Sequence, residues 1–123
     1  MPSKKILVVD DEPYVLKSLR FILELEGYQV CTANDGLEAL EKLNTEKPDL
    51  LLLDMVMPHM SGQELSQKIK TDPATKDLYI IMLTARGQER DKTLAIQSGA
   101  DEHMTKPFKP SLLVQRIKEI LGS

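Results

Sequence analysis

Four short apolar runs in the sequence each lead toward polar residues of types that can do chemistry. The residues in question are Asp10 with Asp11, then Asp54, Thr84 and Lys106. Strands of a parallel sheet are buried on both faces, so they read as continuous apolar runs, and their carboxyl ends meet at one edge. We therefore expect these acids, the hydroxyl and the amine to come together.

The chemistry of such a group is dominated by the repulsion among its carboxylates. Like charges about 4 Å apart repel by about 4 kcal/mol at an effective dielectric constant near 20. Mg²⁺ is the natural counter-charge, because it binds through one or two carboxylates, waters and a phosphate. Lys106 adds a positive charge and Thr84 adds a hydrogen-bond donor. Together they describe a site for phosphoryl transfer onto an aspartate.

The elements that must position these residues alternate along the chain. Strands are predicted at residues 6–9, 28–32, 50–53, 80–83 and 101–104, and helices at 13–26, 36–46, 62–70, 88–98 and from 110 onward. The helix at 88–98 has the weakest apolar face, so we expect it to pack least firmly. Strands alternating with helices predict an α/β fold, a doubly wound five-stranded parallel sheet flanked by five helices.

Composition narrows the classes of function and location. A length of 123 residues suits one domain, and a net charge of -3 without a basic stripe argues against direct binding of nucleic acid or anionic lipid. Cys31 is the only cysteine and lies in an apolar stretch, so no internal disulfide can form and we expect a buried thiol. The sequence has no charged-then-apolar leader and no apolar run near the roughly 20 residues of a membrane helix. We therefore expect a cytoplasmic protein with no membrane partner.

Each candidate residue also has a purely structural interpretation. Asp11 or Glu12 could cap the helix that begins at Pro13, and Asp54 could be an ordinary loop acid. Thr84 could cap a turn, and Lys106 could be a solvated charge. These interpretations would require unrelated coincidences at the ends of four different strands. The functional interpretation is favoured for that reason.

Five motifs, in order, resemble one family. They are LVVDDEP at 7–13, DMVMPHMSG at 54–62, LTA at 83–85, GAD at 99–101 and KPF at 106–108. This ordered set resembles the response-regulator receiver domain of two-component phosphorelay signal transduction, in its single-domain, chemotaxis-regulator-like form. The resemblance covers residues 1–123 as one receiver domain and implies a flavodoxin-like sheet with strand order 2-1-3-4-5.

The resemblance implies a role for each acid. Asp54 would accept a phosphoryl group from a phosphohistidine of a histidine kinase or phosphotransfer protein, or from a small phosphodonor. Asp11, Asp54 and the backbone carbonyl of Val56 would bind Mg²⁺ directly, with Asp10 acting partly through water.

Three further residues receive roles from the same resemblance. Lys106 and Thr84 would each contact a phosphoryl oxygen, and the peptide bond before Pro107 is a candidate for the cis form. The family's switch couples the threonine to a ring three residues before the lysine, and here that ring is His103. An imidazole could make the switch sensitive to pH, although a histidine without a role is also consistent with the sequence.

The family's mode of action implies a regulatory domain that assists its own phosphorylation and dephosphorylation, not an enzyme with a separate substrate. Its partner-binding face would comprise the fourth predicted helix, the fifth strand and the fifth helix. That face would meet an effector protein or domain, and dimerisation is possible.

Three other classes of protein remain as alternatives. A haloacid-dehalogenase-type phosphatase also uses an aspartate nucleophile, but it generally has a second acid at the position that Val56 holds here. A flavodoxin-like cofactor binder would need a phosphate-binding loop, which the acidic run 10–12 opposes. A metal site on His59 and His103 lacks any spacing that unites them.

Overall fold

The computed structural model describes residues 4–55, 60–85, 93, 97, 99–106 and 108–122. The strands are β1 (Lys5–Val9), β2 (Gln29–Ala33), β3 (Leu50–Asp54), β4 (Tyr79–Ala85) and β5 (Glu102–Lys106). The helices are α1 (Pro13–Leu25), α2 (Gly36–Glu46), α3 (Gly62–Thr71) and a C-terminal helix (Pro110–Leu121). The predicted helix at 88–98 falls largely outside the described residues, and Thr93 and Gln97 within it are helical.

The five strands form one sheet in which every neighbouring pair is parallel. Their order is β2-β1-β3-β4-β5, which confirms the predicted order. β1 and β3 occupy the interior of this order, so the residues that follow β1 and the residues that end β3 lie side by side. The sheet therefore brings Asp10 and Asp54 to the same edge.

The apolar runs form strands because both of their faces are covered. Every residue of β3 is buried. Leu51 and Leu53 pack on one side of the sheet with side chains of α2 and α3, while Leu50 and Leu52 pack on the other side with α1 and the C-terminal helix. Because helices pack on both faces of the sheet, the position and direction of each strand end are fixed.

Two helix starts near the acidic edge are held by their own side chains. The Asp35 carboxylate accepts a hydrogen bond of 2.8 Å from the backbone N–H of Glu38, which starts α2. The Ser61 hydroxyl accepts one of 3.2 Å from the N–H of Glu64, which starts α3. These caps satisfy helix donors that would otherwise lack partners.

The strands extend slightly further than the apolar runs predict. Asp54, Thr84 and Lys106 were expected just past strand ends, but they belong to β3, β4 and β5 themselves. The reason is that the backbone ladder continues beyond the apolar side chains: Asp54 pairs with Leu83, and Lys106 pairs with Ala85. All three residues therefore have main chains fixed by strand pairing.

Two further features of the described residues concern the cysteine and the character of the helices. Cys31 is a free, buried thiol, as its apolar surroundings predicted. In the part of the chain that the structure describes, no helix has both the length and the apolar character needed to cross a membrane.

Candidate functional site

The three acids converge at the carboxyl edge of the sheet. One carboxylate oxygen from each of Asp10, Asp11 and Asp54 lies within 4.8 Å of the other two. Asp10 is fully buried and Asp54 is 9% exposed, whereas Asp11 is exposed. The cluster therefore has a buried side and an open side, and its hard oxygen donors suit Mg²⁺.

Lys106 supplies the positive charge inside this cluster. Its ammonium donates a hydrogen bond of 3.1 Å to Asp10 Oδ2 and one of 3.2 Å to Asp54 Oδ1. Lys106 lies on β5, two strands away from β3, a separation of about 10 Å at the usual strand spacing. Only a long side chain can cover that distance, which explains a lysine at this position.

The electrostatics of the cluster are unfavourable for ionised Asp54. Burial, followed by the charge of Asp10, raises the pKa of Asp54 from 3.8 to about 6, while Lys106 opposes that rise. Burial lowers the pKa of Lys106, but the two carboxylates more than offset it, so that pKa lies above its ordinary value. Lys106 therefore stays charged and reduces the repulsion without removing it.

Asp10 makes a contact that the sequence analysis missed. Its Oδ1 accepts a hydrogen bond of 3.0 Å from the backbone N–H of Glu12, and its Oδ2 accepts one from Lys106. Glu12 is the N-cap residue of α1, but its side chain makes no capping hydrogen bond. The capping interpretation of Glu12 is therefore wrong, and Asp10 links the start of α1 to the lysine.

Thr84 lies fully buried on β4, next to this cluster in the sheet. Its hydroxyl donates a hydrogen bond of 3.4 Å to the carbonyl oxygen of Met104 on β5. Thr84 pairs with Thr105, and Met82 pairs with His103, so strand alternation places Thr84 and His103 on the same face of the sheet. They are diagonal neighbours, and the pH sensitivity of His103 stays a prediction.

Several sequence expectations fall outside the described residues. They concern the Val56 carbonyl as a metal ligand, Pro107 as the residue after a cis peptide bond, and His59 as half of a two-histidine site. The structure therefore brings together Asp10, Asp11, Asp54 and Lys106 and leaves these three expectations as predictions.

Comparison with known families identifies the family to which this chain belongs. The profile of the family described as "Response regulator receiver domain" matches residues 6–118. The chain belongs to this family. Its acidic cluster and strand order are those that the motif resemblance implied, so the receiver assignment is confirmed.

Individual relatives agree with the family assignment. The "Alkaline phosphatase synthesis transcriptional regulatory protein PhoP" of Bacillus subtilis is 47% identical over 119 residues, covering 97% of this chain and 49% of that protein. The chain thus spans about half the length of the curated relatives it matches.

Solved structures of receiver domains superimpose closely on this one. A putative response regulator from Chloroflexus aurantiacus has a TM-score of 0.93 at 37% identity, covering 99% of this chain and 100% of that one. The receiver domain of a histidine kinase from Syntrophus aciditrophicus has a TM-score of 0.92 at 35% identity, covering 98% and 91%. Similar receiver domains therefore occur in more than one kind of signalling protein.

The raised pKa of Asp54 predicts that this residue destabilises the folded protein near neutral pH. The folded state holds the Asp54 proton more tightly than the unfolded state, so this contribution to stability is present below pH 3.8 and is lost as the pH rises through about 6. In chelator at pH 7.5, Asp54→Asn should raise the free energy of unfolding by about 1 to 3 kcal/mol, at about 1.4 kcal/mol for each pKa unit. Urea unfolding measures the difference.

The gain should fade as the pH is lowered from 6 toward 4, because the parent carboxyl then takes up its proton. Asp77→Asn is the matched control, since Asp77 is an exposed aspartate outside the cluster. A gain for Asp54→Asn that is equal at pH 7.5 and pH 4, or equal to that of Asp77→Asn, contradicts the prediction.

Proposed function

We propose that this domain is a phosphorylation-dependent signalling switch whose phosphoacceptor is Asp54. The phosphoryl group would come from a histidine kinase or phosphotransfer protein, or from a small phosphodonor. The observation that carries the proposal is that the Asp54 carboxylate lies 3.2 Å from the Lys106 ammonium and has an oxygen within 4.8 Å of one from each of the other two acids. Family membership supports it.

The three acids would hold Mg²⁺ in different ways, according to their exposure. Exposed Asp11 and partly accessible Asp54 would contact the ion directly, together with the Val56 carbonyl. Asp10, already bonded to Lys106 and to the Glu12 amide, would act partly through water. The bound ion would supply charge neutralisation for the incoming phosphoryl oxygens.

The transfer itself needs little from the protein beyond an oriented nucleophile and a counter-charge. An Asp54 carboxylate oxygen would form a bond to phosphorus as the donor's bond to phosphorus breaks, which leaves an acyl phosphate on Asp54 and an unphosphorylated donor. Lys106 would exchange its contact with Asp54 Oδ1 for one with a phosphoryl oxygen. Positioning and charge stabilisation account for most catalysis of this kind.

The surface that changes on phosphorylation would lie on β5 and the C-terminal helix. Thr84 would release the Met104 carbonyl and donate its hydrogen bond to a phosphoryl oxygen, which frees space beside His103. Arg116 on the C-terminal helix binds both oxygens of Glu102 on β5, at 2.7 and 2.9 Å, so the strand and helix would respond as a unit. With the predicted fourth helix, they would form the partner-binding face.

The partners follow from this mode of action. One would be the phosphodonor protein, and the other an effector protein or domain that binds the altered face, with dimerisation as a further possibility. Residues 1–123 would act as one receiver domain in the cytoplasm, with no direct contact to nucleic acid or membrane. The domain would be a regulator that assists its own phosphorylation and dephosphorylation.

Phosphorylation of Asp54 is tested by intact mass after incubation with acetyl phosphate and Mg²⁺. The parent should gain one phosphoryl group, and Asp54→Asn should gain none because the nucleophilic oxygen is lost. Asp77→Asn should behave like the parent. Addition of chelator before the donor should abolish the gain. An equal adduct on Asp54→Asn, or none on a folded parent, contradicts the proposal.

The Thr84 part of the switch is tested separately from the chemistry. Thr84→Val removes the hydroxyl while keeping the side-chain volume, so the variant should still gain a phosphoryl group. The change in amide hydrogen exchange at residues 102–106 that phosphorylation produces in the parent should be lost. Thr45→Val is the control, because its hydroxyl donates a hydrogen bond within α2, to the Glu41 carbonyl oxygen. The switch role fails if Thr84→Val retains the parent's exchange response.

A further inference from the structure

The first residue of α3 approaches the phosphoacceptor's main chain unusually closely. Gly62 begins α3 and is buried, and its backbone N–H donates a hydrogen bond of 2.9 Å to the carbonyl oxygen of Met55. Met55 directly follows Asp54, and its own N–H donates to the Leu83 carbonyl at 3.0 Å. The segment 54–55 is thus fixed on one side by β4 and on the other by the start of α3.

Glycine is required at position 62 by space and not by backbone conformation. Its φ is not in the positive range, which among the described glycines is found at Gly27, Gly99 and Gly122. A Cβ built on Gly62 would overlap the carbonyl oxygen of Asp54 and would lie 2.9 Å from Met55 Cα. Both are backbone atoms, so no side-chain rotation relieves the overlap. Any larger residue must push α3 and the Asp54 main chain apart.

Such a displacement would be transmitted to the cluster. The Asp54 carboxylate has its Lys106 contact at 3.2 Å and lies within 4.8 Å of the other two acids, so a shift of a fraction of an ångström alters every one of these contacts. Displacements of about 1 Å in a reacting group can cost about a hundredfold in rate. The rate of the proposed phosphoryl transfer should therefore depend on how closely the start of α3 packs against the main chain of Asp54.

We propose that Gly62 is a positioning residue for Asp54, acting through the main chain of residues 54 and 55. The inference rests on the proposed phosphoacceptor function and deepens it. Gly62 touches no reacting atom. Because it has no side chain, the start of α3 can pack directly against residues 54 and 55, which keeps the acceptor carboxylate within reach of Lys106. In the sequence Gly62 ends the motif at 54–62 and begins a predicted helix, and its contact with the main chain of Asp54 depends on the tertiary structure.

The chain offers a closely matched control. Gly36 is the first residue of α2, is buried, and likewise has no positive φ. A Cβ there would lie 2.9 Å from Met60 Cβ and 3.0 Å from Met60 Sδ, which are side-chain atoms. Gly36→Ala therefore introduces the same methyl group at the same helix position with a similar crowding, but it does not press on the acceptor's main chain.

The test is the rate constant of phosphorylation by acetyl phosphate at saturating Mg²⁺ and saturating donor, followed by intact mass. Gly62→Ala should slow the reaction by about tenfold or more, as expected for a displaced nucleophile, while Gly36→Ala stays within about twofold of the parent. Folding is monitored by circular dichroism and urea unfolding. Trimethylamine N-oxide is added to all samples, because it favours the compact state of any weakened variant.

The initial rate constant is divided by the folded fraction from urea unfolding, which separates positioning from folding. A positioning role lowers this rate constant per folded chain, whereas a folding defect lowers only the folded fraction and leaves the rate constant per folded chain unchanged. The inference is overturned if Gly62→Ala reacts as fast as Gly36→Ala, or if Gly62→Ala stays unfolded under these conditions. If the parent gains no phosphoryl group, the proposed function fails and the inference with it. If the parent is phosphorylated and Gly62→Ala reacts at the same rate as Gly36→Ala, the proposed function stands and only the inference about Gly62 fails.

Discussion

Repulsion among three carboxylates at one edge of a parallel sheet is the constraint on which this structure depends. Asp10, Asp11 and Asp54 lie within reach of a single ion, and one ammonium, from Lys106, is hydrogen-bonded to two of them. Among the described residues of the site, three negative charges against one positive charge leave a formal charge of -2. Burial, and after it the charge of Asp10, raises the pKa of Asp54, and Lys106 opposes that rise only in part. A divalent cation would complete the neutralisation, and a phosphoryl group would then bring its own negative charge to a prepared site.

The rest of the fold can be understood as the frame that sustains this imbalance. A strained arrangement persists only when its surroundings determine it firmly. Here β3 is buried at every position, its last residue is paired with Leu83, and the next residue is bonded to both β4 and Gly62. Asp10 is held in turn by the Glu12 amide. The carboxylates therefore cannot relax apart by backbone movement without breaking strand pairs or helix caps.

The sequence predicted most of this arrangement because parallel strands carry an obvious pattern and their carboxyl ends share an edge. The convergence of the acids and the burial of Cys31 were predictable from the residues, whereas the strand order was implied by the motif resemblance. The overlap that any side chain on Gly62 would create and the bond from Asp10 to the Glu12 amide were not, because they depend on distances between elements that no local pattern encodes. The extra length of β4 and β5 was missed since backbone pairing continues where side-chain hydrophobicity ends.

Titration of Mg²⁺ by isothermal calorimetry, on the parent and two charge variants, tests the charge imbalance most directly. The parent should bind one ion per chain. Asp11→Asn should weaken binding by about tenfold, because it removes a ligand and a charge. Lys106→Met should strengthen it, since the ammonium and the dication compete for the same carboxylates. Absence of saturable binding to the folded parent, or weaker binding by Lys106→Met, would contradict the view that the cluster is an anionic site short of positive charge.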